Sequence, residues 1–206
     1  NKSWQILDIG CGYSANEFAT TICDVQDLSK FYKDRNFIKL EKKQLPFDDD
    51  QFDFVIASHV LEHVEDYKFF ISELERVSKK GYIELPTKLE DNLVFENKND
   101  HLWHMEFEDE KNQLIISKKT QFLEPVLTVS SSKKFLKYFR QSLVLELFWE
   151  DSIEFYFEEN ELTNYEKFSR LTLFKQSFTL NIFSSSDFSV NIVKGNIIFS
   201  STFIKS

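Results

Sequence analysis

The sequence predicts an α/β fold in which a mostly parallel sheet is flanked by helices and followed by a β-rich C-terminal extension. Short apolar runs at residues 4–9, 21–25 and 52–57 have the length and character of buried parallel strands. Residues 171–206 instead alternate apolar and polar side chains at period two. Strands that alternate with helices form parallel sheets, whereas period-two strands joined by turns form antiparallel ones.

The first strand, Trp4–Ile9, leads into Gly10 and Gly12. Glycine allows a positive φ or a close approach of the backbone to a ligand. Asp8 lies inside this apolar strand, where a buried carboxylate needs donors, and the N–H groups of the following turn can supply them. The acid before the turn and the lack of a glycine at Ala15 disfavour a pyrophosphate site of the G-x-G-x-x-G type.

The second strand is predicted at Thr21–Val25, after a segment, Ala15–Ala19, that is a short helix at most. Asp24 ends this strand, and ligands of open α/β sheets bind at the carboxyl ends of strands. A carboxylate there can accept hydrogen bonds from both hydroxyls of a ribose. Asp27 is the competing candidate for that role, and a helix cap or turn is the structural alternative for Asp24.

The middle of the chain continues the α/β alternation. We expect a polar helix at Leu28–Arg35, a strand at Phe37–Glu41, an exposed turn at Asp48–Asp50 and a strand at Phe52–Ala57.

A helix is predicted to begin within His59–Val64 and to continue or restart over Tyr67–Lys80. Its inward face would carry Phe70, Leu74 and Val77. Gly81 would end it as the C′ residue, before a strand at Tyr82–Leu85.

These motifs together resemble the class I S-adenosylmethionine-dependent methyltransferases over about residues 4–86. Asp8, Gly10 and Gly12 match the D-x-G-x-G-x-G motif, with Ser14 in place of its last glycine. The match continues in a Leu-Pro-Phe loop at 45–47, in Ser-His-Val-Leu-Glu-His at 58–63, and in Gly-Tyr-Ile-Glu-Leu-Pro at 81–86. The last motif and His101-Leu-Trp103 are similar to a compact bacterial subgroup of the family.

The resemblance implies a Rossmann-like sheet, S-adenosylmethionine as cofactor, and methyl transfer to an oxygen or nitrogen nucleophile. Glu41 would contact the adenine, with Leu45 and Phe47 nearby. The residues implied in cofactor binding are Asp8, Gly10, Cys11, Gly12, Asp24, Glu41, Lys42, Leu45 and Ser58. His59 is the candidate base if a hydroxyl is methylated, with His101 and His104 as further candidates. The methyl group of the cofactor is already activated for transfer, so a base is optional and no metal is required.

Residues 1–120 are accordingly predicted to form the cofactor-binding domain, and residues 121–206 an extension that acts as a lid, substrate region or dimer region. Within the first, we expect a polar loop at Lys88–Asp100 and a hairpin at His101–Lys119. The extension would begin with a helix at Lys133–Gln141, which is capped by Ser130–Ser132 and directs Phe135, Leu136 and Phe139 inward.

The extension would continue with a hairpin formed by Leu143–Trp149 and Ile153–Phe157. Its final part is predicted to be a small antiparallel sheet with strands at Phe178–Phe183, Phe188–Val193 and Ile197–Phe203, and with a turn at 194–196. An exposed edge of such a sheet favours pairing with another chain, so a homodimer is expected.

The composition limits which binding partners and which cellular compartment are expected. The net charge of −9 disfavours nucleic acid, and a small molecule or glycan is the favoured acceptor. No apolar run is long enough for a membrane span. Cys11 and Cys23 are expected to be reduced thiols of a cytoplasmic protein. The sequence opens without Met, so we expect that an N-terminal segment precedes it.

Two other functions fit parts of the sequence. Ser14 and the short first helix suit a methyltransferase-like binding module without turnover. His59-Val-Leu-Glu-His63 is an H-x-x-E-H sequence, as in inverted zinc metalloproteases, with His59 and His63 as ligands and Glu62 as base. The plainer alternative for His63 is a partly buried helix residue.

Overall fold

The computed structural model describes residues 4–159 and the backbone of two later strands, 188–193 and 196–201. The chain divides into two units, Asn1–Asn160 and Glu161–Ser206. None of the helices in the described part of the chain is long and apolar enough to span a membrane.

The first unit contains nine strands and four α-helices within its described residues. The strands are β1 Ile6–Ile9, β2 Thr21–Asp24, β3 Phe37–Lys39, β4 Phe54–Ser58, β5 Lys80–Pro86, β6 Trp103–Glu108, β7 Gln113–Lys118, β8 Val144–Glu150 and β9 Phe155–Glu158. The helices are α1 Tyr67–Val77, α2 Lys88–Leu93, α3 Asn97–Asp100 and α4 Val129–Leu143, with a 3-10 helix at Leu61–His63.

The predicted α/β architecture is confirmed. Six strands form one sheet in the order β3-β2-β1-β4-β5-β8, and every pair is parallel except β5 with β8. A second sheet has the order β6-β7-β9. The apolar side chains of β1, β4, β5 and α1 meet in one core, whose fully buried members include Leu7, Val55, Leu74 and Ile83.

The predicted helix at Leu28–Arg35 is wrong, because this segment forms turns. Its side chains are committed to the loop after β1. The Tyr32 hydroxyl donates to the Gly12 carbonyl and accepts from the Ala15 N–H, while Arg35 donates to the carbonyls of Asn16 and Ala19. The segment between β1 and β2 likewise contains turns and no helix.

The role predicted for Gly81 is also wrong. Helix α1 ends at Val77, and Gly81 lies inside β5. A Cβ at Gly81 would lie 2.6 Å from the Trp149 indole nitrogen and 2.7 Å from a Val55 methyl. Glycine is required there because the indole of β8 packs directly on the β5 backbone.

The polar segment Lys88–Asp100 is helical, not a loop. It forms α2 and α3, and it buries Glu90, Asp91, Asn92 and Asn97. The polar composition that suggested a solvated loop instead supplies an internal hydrogen-bonding cluster. The hairpin predicted after it is confirmed as β6 and β7, which pair antiparallel.

The later elements correct two further expectations. Helix α4 is present with Thr128 as its N-cap, but Phe135 and Phe139 are exposed. The strands β8 and β9 do not pair with each other as a hairpin: β8 joins β5 of the central sheet, and β9 joins β7 in parallel.

In the second unit, β10 Phe188–Val193 and β11 Asn196–Ser201 pair antiparallel, with Val193 opposite Asn196. This confirms two of the predicted C-terminal strands and their reversal near 194–196. The strand predicted at Phe178–Phe183 lies outside the described residues.

Candidate functional site

A cleft of about 790 Å³ opens beside the carboxyl ends of β1 and β4 and along β5. The loop after β1 and the residues that end β4 line it on the side of the central sheet. Residues of α2, α3, α4 and β8 complete its walls. In open parallel sheets this edge is where ligands bind.

The loop after β1 is held by its own backbone and by two carboxylates. Gly10 and Gly12 have φ of +66° and +49°, the left-handed region that favours glycine. The Asn16 N–H donates to Asp8 Oδ2 at 2.7 Å, and the Gly12 N–H donates to Asp24 Oδ2 at 2.9 Å. The predicted use of turn N–H groups by Asp8 is therefore confirmed. Burial raises the pKa of Asp8, against the lowering effect of its Asn16 hydrogen bond.

Asp24 ends β2 as predicted, and its carboxylate touches the loop. A second backbone donor, the Gln26 N–H, lies 2.8 Å from Asp24 Oδ1. A carboxylate has about four acceptor positions, so two remain for hydroxyl groups of a ligand. Asp27, the competing candidate, is exposed and bonded to Ser29, which lowers the pKa of its carboxyl.

The predicted site residues divide into two groups. Those that line the cleft are Asp8, Gly10, Cys11, Gly12, Ser58 and His59. Asp24, Glu41, Lys42 and Leu45 do not line it, and Asp24 is buried with its carboxylate on the Gly12 N–H of the lining loop. Strand β3 ends at Lys39, Glu41 projects into solvent beside Lys39, and Leu45 is buried in the core.

A buried ion pair of α1 fixes the loop that contains Leu45 and Phe47. Glu73 Oε2 accepts from the Leu45 N–H at 2.7 Å. Arg76 donates to the carbonyls of Phe47 and Leu45, at 2.7 and 3.1 Å, and to Glu73. The loop therefore derives its conformation from two side chains that lie about thirty residues further along the chain.

This pair predicts a specific acid sensitivity. The Arg76 guanidinium holds the pKa of Glu73 below its usual 4.5, so the stabilisation is complete above pH 4.5 and is lost as the pH falls through the lower folded-state value. We expect Glu73→Gln to be less stable than the parent at pH 7, with the difference shrinking below pH 4.5. Urea denaturation of both proteins across this pH range measures it, and a pH-independent difference would contradict the assignment.

His59 follows β4 and is held between two carboxylates. Its φ is +55°, its Nδ1 lies 3.3 Å from Glu62 Oε1, and its Nε2 lies 3.4 Å from Glu84 Oε1. Burial alone would lower the pKa of His59, but its contacts with Glu62 and Glu84 outweigh this and raise it to about 10. His59 is therefore an imidazolium at neutral pH, an arrangement that suits the positioning of two carboxylates better than proton abstraction.

Part of the chain matches a known protein family. Residues 7–83 match the family model described as a methyltransferase domain. This match spans β1 to β5 and contains the glycine loop, Asp24, Ser58 and His59. Residues 7–83, less than half of the chain, are thus similar to a methyltransferase domain.

Comparisons over longer stretches of the chain find relatives of 30% identity or less. An uncharacterized protein of Methanocaldococcus jannaschii is 30% identical over 144 residues, which cover 63% of this chain and 64% of that protein. The chain thus spans less than two thirds of this relative. A methyltransferase of Aquifex aeolicus described as S-adenosylmethionine-dependent is 16% identical, with 72% of this chain and 82% of that chain covered and a TM-score of 0.39. A Pyrococcus horikoshii protein has the same identity and coverage and a TM-score of 0.42.

A network around Glu84 joins β5, α4 and β8. The Tyr82 hydroxyl oxygen lies 2.7 Å from Glu84 and 2.6 Å from Glu146, so its single proton can be donated to either carboxylate, and Arg140 of α4 pairs with both. His59 first, and then Tyr82 and Arg140, lower the pKa of Glu84 to about 2. Ser58 Oγ also donates to Glu84, at 3.1 Å.

Sequence reasoning quoted Glu84 only as part of the Gly-Tyr-Ile-Glu-Leu-Pro motif and gave it no role. Its place at the carboxyl end of a strand was the available signal. Nothing in the sequence indicated Arg140 and Glu146, because they reach Glu84 only through the pairing of β8 with β5.

A second buried cluster surrounds Asp91 of α2. His101 Nδ1 lies 2.5 Å, His104 Nε2 2.9 Å and Lys119 Nζ 3.1 Å from its carboxylate. Burial would raise the pKa of Asp91, but these partners hold it well below its usual range. His101 lines the cleft, whereas His104 is buried and does not line it, so of these two histidines His101 is the one that remains a candidate for contact with an acceptor.

Proposed function

We propose that the protein is an S-adenosylmethionine-dependent methyltransferase that methylates an oxygen or nitrogen atom of a small molecule or glycan. One observation carries the proposal: the stretch matched by the methyltransferase family, residues 7–83, is the stretch that supplies the loop and strand ends of the cleft. A catalytically inactive binding module would share this stretch, and the turnover assay below separates the two.

The residues present fit the cofactor. A Cβ at Gly12 would meet nothing within 4 Å, so the loop leaves open space on that side. Asp24 retains acceptor positions for ribose hydroxyls beside the same loop, and it is our proposed ribose ligand. Glu41 and Lys42, exposed residues that follow β3, remain the proposed adenine-side residues. Leu45 is buried in the core, so its proposed contribution is to hold this loop in place through the contacts of Glu73 and Arg76.

Bound S-adenosylmethionine would supply a methyl group activated by its sulfonium. The chain's contribution is to bind and orient the reactants, which by itself can remove a large part of the activation barrier in such transfers. Ser58 and His59 adjoin the cofactor loop across the cleft, and we propose that they orient the acceptor together with Glu84. His59 would act mainly through its charge, since both of its nitrogens face carboxylates.

The charge of the cleft favours some acceptors over others. Its lining carries six carboxylates against two cations, one lysine and the imidazolium of His59; the carboxylates are Asp8, Glu84, Glu90, Glu96, Asp100 and Glu146. Such a wall repels phosphates and nucleic acid, and it can accept hydrogen bonds from hydroxyl and amino groups. This is the chemistry of a sugar or an amine.

The decisive experiment is calorimetric titration with S-adenosylmethionine and S-adenosylhomocysteine, followed by a methyl-transfer assay on pools of glycans and small amines. Binding of both ligands and transfer to one pool is the expected result. Absence of binding, in protein shown to carry no ligand after purification, would overturn the proposal. Binding without transfer to any pool would indicate the inactive module.

We expect Asp24→Ala to weaken S-adenosylmethionine binding at least tenfold. Charge-assisted hydrogen bonds to a ribose contribute about 1.5–3 kcal/mol, and the variant also loses the Gly12 contact that shapes the loop. Asp27→Ala is the matched control, because that carboxylate is exposed and contacts only Ser29 among the described residues. Equal affinity of Asp24→Ala and the parent would remove Asp24 from the site.

A further inference from the structure

Three potential metal ligands lie together, and two of them line the cleft. Glu62 and His63 belong to the 3-10 helix, and His101 follows α3. One ligand atom of each lies within 4.8 Å of the other two. Both histidines line the cleft, and their ring centroids are 4.5 Å apart.

Glu62 is a buried carboxylate without hydrogen-bond donors. Its side chain is 1% exposed, and neither carboxylate oxygen has a hydrogen-bond partner among the described residues. The His59 ring at 3.3 Å is a charged neighbour but does not meet the geometry of a hydrogen bond. The charge of His59 offsets part of the cost of burying this carboxylate, but its oxygens still lack hydrogen-bond donors, and a cation bound to them would supply the missing contacts.

The two histidines are oriented as metal-binding histidines usually are. His63 Nδ1 lies 3.0 Å from the Asp100 carbonyl oxygen, and His101 Nδ1 lies 2.5 Å from Asp91 Oδ1. A ring nitrogen held by a carbonyl or carboxylate leaves the other nitrogen, Nε2, as an acceptor for a metal. Both supporting oxygens are thus already present.

The two segments that carry these residues are joined independently of any ligand. The Leu102 N–H donates to the Glu62 carbonyl at 2.8 Å, and the Trp103 indole N–H donates to the Val64 carbonyl at 2.8 Å. The ligand set is therefore preorganised by the hydrogen bonds between the 3-10 helix and the start of β6.

We propose that Glu62, His63 and His101 bind a zinc ion. One carboxylate and two imidazoles form a set that zinc favours, and a fourth coordination position would face the cleft. This set differs from the one suggested by the H-x-x-E-H sequence. His59 precedes the 3-10 helix with a positive φ, so it does not share a helical face with His63.

The open position would have a consequence for the acceptor. A metal at this place could coordinate a hydroxyl or carboxylate oxygen of an acceptor in the cleft and orient it. That consequence rests on the proposed methyltransferase function, whereas the metal site itself does not.

The test is a zinc titration of the full chain after removal of metal with a chelator, with metal content measured on the same sample. We expect one zinc per chain. His63→Ala and Glu62→Gln should each raise the zinc Kd at least tenfold, because even outer-shell partners of metal ligands contribute about that much. Glu65→Gln is the matched control, since this exposed side chain is two residues from His63 and does not line the cleft, and its Kd should equal the parent's.

Absence of stoichiometric zinc, or equal zinc affinity in the parent and both variants, would overturn the site. His63 is exposed, so His63→Ala is expected to fold, and circular dichroism of each variant checks this. Titration of the same samples with S-adenosylmethionine keeps the two proposals apart. Cofactor binding without zinc binding would overturn the metal site alone, and zinc binding without cofactor binding would overturn the proposed function alone.

Discussion

Replacement of Asp91 by alanine is expected to lower the free energy of unfolding by about 3–5 kcal/mol, the usual loss when one member of a buried charge cluster is removed. Asp91 is 1% exposed, and its carboxylate is in contact with His101, His104 and Lys119. Without it, the Lys119 ammonium would keep only the Asn97 carbonyl as a partner among the described contacts. The Lys119 side chain is only 7% exposed, so a charge left there is poorly hydrated.

Asp100→Ala provides the control for Asp91→Ala, because its side chain is exposed at the end of the same helical segment. We expect a change within about 0.5 kcal/mol for this surface position. Urea denaturation followed by tryptophan fluorescence compares the two variants with the parent, since Trp103 lies in the strand that follows His101. Equal stability of Asp91→Ala and Asp100→Ala would show that the cluster contributes little.

The features that sequence reasoning predicted correctly are local ones. Strands β1, β2 and β4, the hairpin of β6 and β7, and the loop with Gly10 and Gly12 are each encoded within at most 16 consecutive residues. Hydrophobic periodicity and glycine placement are properties of such windows. The residues of the cleft wall nearest the sheet, including Asp8 and Ser58, follow from the same short motifs.

The incorrect predictions concern contacts between distant parts of the sequence. The pairing of β8 with β5 depends on the Trp149 indole lying against Gly81, which no pattern within either strand reveals. The segment Lys88–Asp100 looked solvated because its polar residues find their partners elsewhere, as Asp91 does at Lys119.

The proximity of His63 and His101 is invisible in the sequence for the same reason. The two residues come together only because a hydrogen bond from Leu102 to Glu62 joins their segments. The candidate metal site is therefore the part of the molecule that could least be predicted.

The second large effect is expected at Gly10. Its φ of +66° disfavours any side chain, which costs about 1–2 kcal/mol for a non-glycine residue. In addition, a Cβ there would overlap Cγ2 of Val60, and such overpacking costs about 1–3 kcal/mol. Gly10→Ala should therefore be markedly less stable than the parent, and it should lose S-adenosylmethionine binding, because relief of the overlap moves the loop away from the segment after β4.

Gly12→Ala separates the two causes. Its φ of +49° imposes the same conformational penalty, but a Cβ there would meet nothing within 4 Å. We expect this variant to be destabilised by the positive φ alone and not by overlap with Val60. Its free energy of unfolding should therefore lie between those of the parent and Gly10→Ala. The same order in both variants' unfolding and cofactor titrations would link the loop's packing to binding. If Gly10→Ala were as stable as Gly12→Ala, the contact with Val60 could not be what places the glycine loop beside Ser58 and His59.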